Sequence, residues 1–267
     1  MRVINRFSEI SPSSAFVPTM GALHVGHQSL ITIAREFSQE VVVSVFVNPF
    51  QFEDKNDFRK YPSTPERDEI LAKEAGATLL WRPEFSEIYP EEIKKIESGS
   101  IGEKFEGIER KGHFDGVLTV VNRLFEIVRP RFAIFGEKDF QQLFLIKKMA
   151  EQLHPNIEII SAPTIREESG LALSSRNVQL SKSGKATAAV ISATLQEAQE
   201  FVDLDKMRSV LNQLKNVPNF ILDYAEIIDE ESFELATPET QKIRALVAGW
   251  VEGVRLIDNM AMSLVRA

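Results

Sequence analysis

Hydrophobic and polar positions alternate in two different periods along this chain. Up to about residue 160, short β-branched or aromatic runs are separated by stretches whose apolar residues recur every three to four positions. Ala15-Phe16-Val17 predicts a first strand ended by Pro18. Residues 26–36 then predict a helix, with Leu30, Ile31, Ile33, Ala34 and Phe37 on one side. Residues 41–47 (Val-Val-Val-Ser-Val-Phe-Val) predict a fully buried strand stopped by Asn48-Pro49. Thr64-Pro65-Glu66 predicts a helix start, with threonine as cap, proline at the first helical position and an acid in the first turn; Gly76 closes that helix. Residues 78–81 predict a strand, 116–129 a helix, 131–135 a strand, 139–152 a helix and 156–160 a strand. The glycines at 99, 102, 107 and 112 predict loops between.

This strand–helix alternation predicts an α/β fold, a doubly wound parallel sheet covered on both faces. Beyond Pro163 the texture changes to α+β. Helices are expected over 182–202 and 205–215, a strand over 220–226, and a hairpin over 245–257 turning at Glu252-Gly253. The expected division is a domain of residues 1–164 followed by a smaller one of 165–267.

Composition narrows the picture. The chain has 267 residues, 43% of them hydrophobic and 26% charged, which is too apolar for disorder. The absence of cysteine excludes a thiol nucleophile, a cysteine-ligated zinc and disulfides. A net charge of −8 argues against a nucleic-acid partner while leaving room for a local basic pocket. The first residues lack the apolar stretch of a signal peptide. No charged residue occurs between Glu9 and Arg35, but Pro12, Pro18, Gly21, Gly26, His24 and His27 spoil a membrane span, so that segment reads as the inside of a site. The expected location is cytoplasmic, with no membrane partner.

Four loops carry candidate chemistry, three of them following strands, where ligands of open parallel sheets bind. The first runs Pro18-Thr19-Met20-Gly21-Ala22-Leu23-His24-Val25-Gly26-His27. Its glycines allow close backbone approach, a helix opening near Gly26 points free N–H groups at an anion, and two imidazoles three residues apart can donate to phosphate oxygens. The second, around Asn48 and Gln51, offers neutral amides for a small polar substrate, although Asn-Pro turn chemistry accounts for Asn48 equally well. The third is Gly136-Glu137-Lys138-Asp139 through Gln142: Lys138 can reach phosphate, Asp139 can accept from ribose, and Lys138 and Gln142 share a helical face; a solvated charged turn is the alternative. The fourth, residues 166–177, places Ser174, Ser175 and Arg176 in a cationic, hydroxyl-rich loop suited to phosphates. His113 reads as a loop residue and His154 as exposed.

The HxGH at 24–27 is similar to that of the nucleotidyl-transfer superfamily that includes class I aminoacyl-tRNA synthetases. Taken with residues 45–52, Tyr61-Pro62, 113–130, 135–143 and 170–177, in order over about two thirds of the chain, it closely resembles the pantothenate synthetase (pantoate–β-alanine ligase) family. The resemblance implies a Rossmann-like first domain, a C-terminal lid, an ATP site between them and a homodimer. It implies condensation of pantoate with β-alanine through a pantoyl adenylate, releasing AMP and pyrophosphate, with MgATP as substrate. His27, His24 and Lys138 would be the catalytic groups, His27 donating a proton. Met20, Gly21, Ala22, Leu23, His24, Val25, Gly26, His27, Gly136, Glu137, Lys138, Asp139, Ile165, Leu173, Ser174, Ser175 and Arg176 would line the ATP site. Gln51 and Gln142 would hold pantoate, Gln51 also lying near β-alanine. Ser169 stands where the family commonly carries Asp. Two rivals share the first loop: a nucleotidyltransferase acting on a small phosphorylated substrate, which needs a second cationic pocket, and a tRNA-binding fragment, which needs a basic face.

Overall fold

The structure, a computed structural model, describes residues 1–7, 14–52, 58–59, 61–90 and 93–264. Glu9 and Pro12 lie outside the described residues. The chain forms two compact units, Met1–Pro163 and Thr164–Ala267.

The first unit is built on a six-stranded, wholly parallel sheet. Its strands are β1 (Arg2–Ile4), β2 (Ala15–Thr19), β3 (Val41–Val45), β4 (Leu79–Trp81), β5 (Phe132–Gly136) and β6 (Glu158–Ala162), in the spatial order β1-β4-β3-β2-β5-β6. The order reverses between β2 and β5, so the loops leaving those two strands flank the switch point. Side chains alternate faces with period two. Ala15, Val17, Val43, Leu80 and Ile134 pack with Ile31 and Ala34 of α1 (Val25–Phe37) and Ala72 of α2 (Pro65–Glu74). Phe16, Val42, Leu79, Trp81 and Phe135 face Val121, Leu124 and Phe125 of α3 (His113–Val128) and Ile146 and Met149 of α4 (Phe140–Leu153). Covering both faces is what the near-continuous apolar strands require.

Several boundaries differ from expectation for physical reasons. Pro18 does not end β2 but lies inside it. The amide of Ala15 donates to Glu40 on the β3 side, so the missing N–H of Pro18 faces β5, where pairing has already stopped at Phe16–Ala133. Thr64 precedes α2, but its hydroxyl donates to the Asp68 carboxylate instead of capping a backbone amide. The helix expected from 116 begins at His113, after Gly112 in the left-handed region (φ +71°). His154 is half-buried rather than exposed: Nε2 lies 2.8 Å from Asn122 Oδ1, and its ring meets Phe125 edge-on at 5.4 Å. Strand β1 carries no signal in the sequence, being three residues on a sheet edge with Arg2 and Val3 turned to solvent.

The second unit packs α5 (Lys182–Gln199) and α6 (Leu204–Asn212) on an antiparallel sheet of β7 (Ile221–Asp229), β8 (Ile243–Val251) and β9 (Val254–Met262). Leu195, Met207 and Leu211 meet Ile227, Ala245 and Val247 in its core. The β8–β9 hairpin turns on Glu252 (φ +51°) and Gly253 (φ +77°), the pair of left-handed residues that a two-residue hairpin turn needs. The Glu252 carboxylate accepts from the backbone N and hydroxyl of Ser181, the cap of α5, whose hydroxyl in turn accepts from Gly184 N. Among the described residues, no helix is long and apolar enough to cross a membrane.

Candidate active site

The loop between β2 and α1 is held by a residue absent from the motif reading. Asp68, on the first turns of α2 and 1% exposed, accepts from Ala22 N (3.1 Å), Leu23 N (2.8 Å) and the Thr64 hydroxyl (2.9 Å). Gly21, at φ +85°, lets the loop pass this carboxylate: a Cβ there would sit 3.0 Å from Asp68 Oδ2. The sequence offered only an acid near a helix start, which reads as dipole compensation.

His24 is the cap of α1. Its Nδ1 accepts from Gly26 N (3.1 Å), while His27 Nδ1 accepts from His24 N at 3.4 Å. With each Nδ1 occupied as an acceptor, each ring carries its proton on Nε2. Both Nε2–H groups are therefore the donors this turn presents. Gly26 makes room for the His24 ring, since a Cβ at 26 would lie 2.9 Å from His24 Cε1. Burial, aided by Lys138, lowers the His24 pKa. Burial chiefly, then His24 and Lys138 against the opposing Asp139, pushes His27 down to about 3. In the folded chain His27 is held as a neutral imidazole whose Nε2–H is free to donate a hydrogen bond. Lys138 acts electrostatically on both histidines and Asp139 on His27, and both lie on the 3₁₀ turn Glu137–Asp139 after β5. Lys138 thus precedes α4 and does not share its face with Gln142.

The second loop closes on the first. Gln51, 8% exposed at the end of the 3₁₀ turn Pro49–Gln51, places Nε2 2.7 Å from Met20 Sδ. Asn48 caps that turn through Phe50 N and donates to Gly116 O (3.0 Å) and Gln51 Oε1 (3.2 Å). His113 Nδ1 lies 2.8 Å from the Gln51 carbonyl, so this helix-opening histidine braces the same turn. Gly116 permits it, because a Cβ there would run into the Phe50 carbonyl. Of the two glutamines opening α4, Gln141 is spent on structure, bonding Ile101 O, Lys104 O and Glu106 N. Gln142 is partly exposed.

In the second unit, Ile165 and Leu173 face each other across a short turn (Leu173 N to Ile165 O, 2.9 Å) around Gly170 at φ +87°. Ser169 supports that turn through its hydroxyl, which accepts from Leu171 N at 3.4 Å, a contact an Asp side chain would also make. Arg166 ties the turn down by a bidentate pair with Asp258 (2.6 and 2.9 Å) and a bond to Gly170 O. Ser174 caps the 3₁₀ turn Ser175–Gln179 through Arg176 N, and the Arg176 side chain is exposed. Among the described residues, no three or more His, Asp or Glu side chains gather into a cluster able to hold a metal.

The family model described as pantoate-β-alanine ligase matches residues 2–261. Pantothenate synthetase of Cytophaga hutchinsonii is 44% identical over 264 residues, covering 94% of this chain and 92% of that protein. The crystal structure of pantothenate synthetase from Thermus thermophilus superposes with a TM-score of 0.87 at 42% identity, covering 93% of this chain and 92% of that one. Pantoate-β-alanine ligase from Francisella tularensis, solved with βγ-ATP and β-alanine, gives a TM-score of 0.78 at 36% identity, with 95% and 92% covered.

Proposed function

The chain belongs to the pantoate–β-alanine ligase family, and from that premise we propose how its residues carry the reaction. It is an ATP-dependent enzyme that joins pantoate to β-alanine. In our reading the pantoate carboxylate attacks the α-phosphorus of MgATP, giving pantoyl adenylate and pyrophosphate. The β-alanine amine then attacks the activated carbonyl, releasing AMP and pantothenate. Both reagents of the first step are anions, so the protein's task is to neutralise and align them rather than to supply a nucleophile.

ATP lies along Met20–His27 and Gly136–Asp139, with Ile165 and Leu173–Arg176 assigned on the family resemblance. The Nε2–H donors of His24 and His27 meet phosphate oxygens as charge builds there, and Lys138 and Arg176 offset the triphosphate charge. Mg²⁺ enters with ATP, carried on its phosphate oxygens. Gln51 and Gln142 hold pantoate by uncharged hydrogen bonds, and Gln51 borders the β-alanine position. Residues 165–267 act as a lid that keeps water from the adenylate. We further propose a homodimer working in the cytoplasm, as the resemblance implies.

One observation carries this reading: the loops leaving the two strands at the switch point put Lys138 within electrostatic reach of His24 and His27, and Asp139 within reach of His27, with Gln51 against Met20 of the first loop. The test is pyrophosphate release from MgATP. Release that needs pantoate but not β-alanine is expected; release independent of pantoate would overturn the two-step scheme.

A further inference from the structure

Tyr89 has no part in the reaction scheme, yet its hydroxyl is aimed at the substrate-facing amides. It is buried, and its O–H donates to Asn48 Oδ1 at 2.7 Å. The same Oδ1 accepts from Phe50 N (3.2 Å), while Nδ2 donates to Gly116 O (3.0 Å) and Gln51 Oε1 (3.2 Å). All the hydrogen-bonding positions of the Asn48 amide are thereby filled. Two of the partners are backbone groups with fixed roles, an N–H that only donates and a C=O that only accepts, so the amide cannot be reversed.

The consequence falls on Gln51. Its Oε1 is engaged by Asn48, and its Nε2 rests against the sulfur of Met20, a weak acceptor. The Gln51 amide is thereby held one way round, its Oε1 turned to Asn48 and its Nε2 turned to the first loop, so the N–H edge is the one that faces that loop and favours an acceptor oxygen such as a carboxylate or hydroxyl oxygen.

We propose that Tyr89 is a positioning residue that, through Asn48, fixes Gln51 as a hydrogen-bond donor to pantoate. This rests on the assignment of Gln51 to the pantoate pocket. The tyrosine ring is clamped by Phe50 (4.8 Å, edge-on) and Phe85 (5.1 Å). Exchanging Tyr for Phe thus removes the hydroxyl without opening a void. Burial also raises the phenol pKa, which keeps it a donor throughout the working range.

The experiment compares Tyr89→Phe, Gln51→Ala and the double variant by steady-state kinetics, with melting temperatures in parallel. Loss of one hydrogen bond behind Gln51 is expected to raise the pantoate KM about three- to tenfold, leaving the ATP KM within about twofold. In the Gln51→Ala background the same change should add less than about twofold, because its effect passes through the missing amide. An unchanged pantoate KM in Tyr89→Phe would overturn the proposal while sparing the role of Gln51. So would an equal rise for both substrates, or an undiminished effect in the double variant. If Gln51→Ala itself leaves the pantoate KM unchanged, the pocket assignment fails and the proposal falls with it.

Discussion

The rings of His24 and His27 lie with centroids 4.1 Å apart and planes inclined by 39°, each with its Nδ1 tied to a backbone amide of the same helix start. Two neutral donors at that spacing suit adjacent oxygens of one phosphoryl group. Replacing either ring by alanine should lower the rate of adenylate formation about 10²–10³-fold, the loss typical of one oxyanion donor. Single-turnover pyrophosphate release is the measurement, and Lys138→Ala should fall in the same range.

Acid should destabilise the fold through His27. Its pKa is about 3 when folded against 6.5 ordinarily, so between those values the unfolded chain binds the extra proton and stability rises with pH. Stability is expected to fall as pH drops below about 6.5 towards about 3. Urea unfolding midpoints between about pH 7.5 and 5 should decline less steeply in His27→Gln than in the unaltered chain.

Asp68→Asn is the sharper probe of the loop. An amide can present only one oxygen where the carboxylate presents two, leaving Ala22 N or Leu23 N buried and unmatched at a cost of about 1–3 kcal/mol. Denaturant unfolding should register that loss, and the ATP KM should rise more than the pantoate KM.

Gly26→Ala should act through geometry rather than stability. Its Cβ displaces the His24 ring, and a shift of about 1 Å is expected to lower adenylation about tenfold to a hundredfold. Circular dichroism should show the helix retained.

In the second unit, Asp258→Ala strands the Arg166 guanidinium in a largely buried position, which should cost about 3–5 kcal/mol in unfolding experiments. A loss under about 1 kcal/mol would show that the pair is worth no more than a solvent-exposed one.

Much of the architecture was legible because buried parallel strands and amphipathic helices impose different periods, which residues 41–47 and α3 display plainly. The first motif loop was legible because two of the chain's four histidines fall there with glycines after a strand. What escaped was the support behind them. Asp68 sits 46 and 45 residues from the two amides it holds, and nothing local separates it from Glu66 or Glu69. Tyr89 lay in the glycine-punctuated stretch and His113 at a helix start that the periodicity put three residues later, so their burial follows only from tertiary packing. Pro18 misled for a related reason: whether a missing donor breaks a strand depends on which neighbour it faces.

Turns such as Glu252-Gly253 are ordinary places to insert an epitope or to reopen the chain by circular permutation. Here the tip of the hairpin is also the latch of a distant helix, since Glu252 holds Ser181 at the start of α5. An insertion that moves this carboxylate would fray the α5 start, so a label on this protein belongs elsewhere.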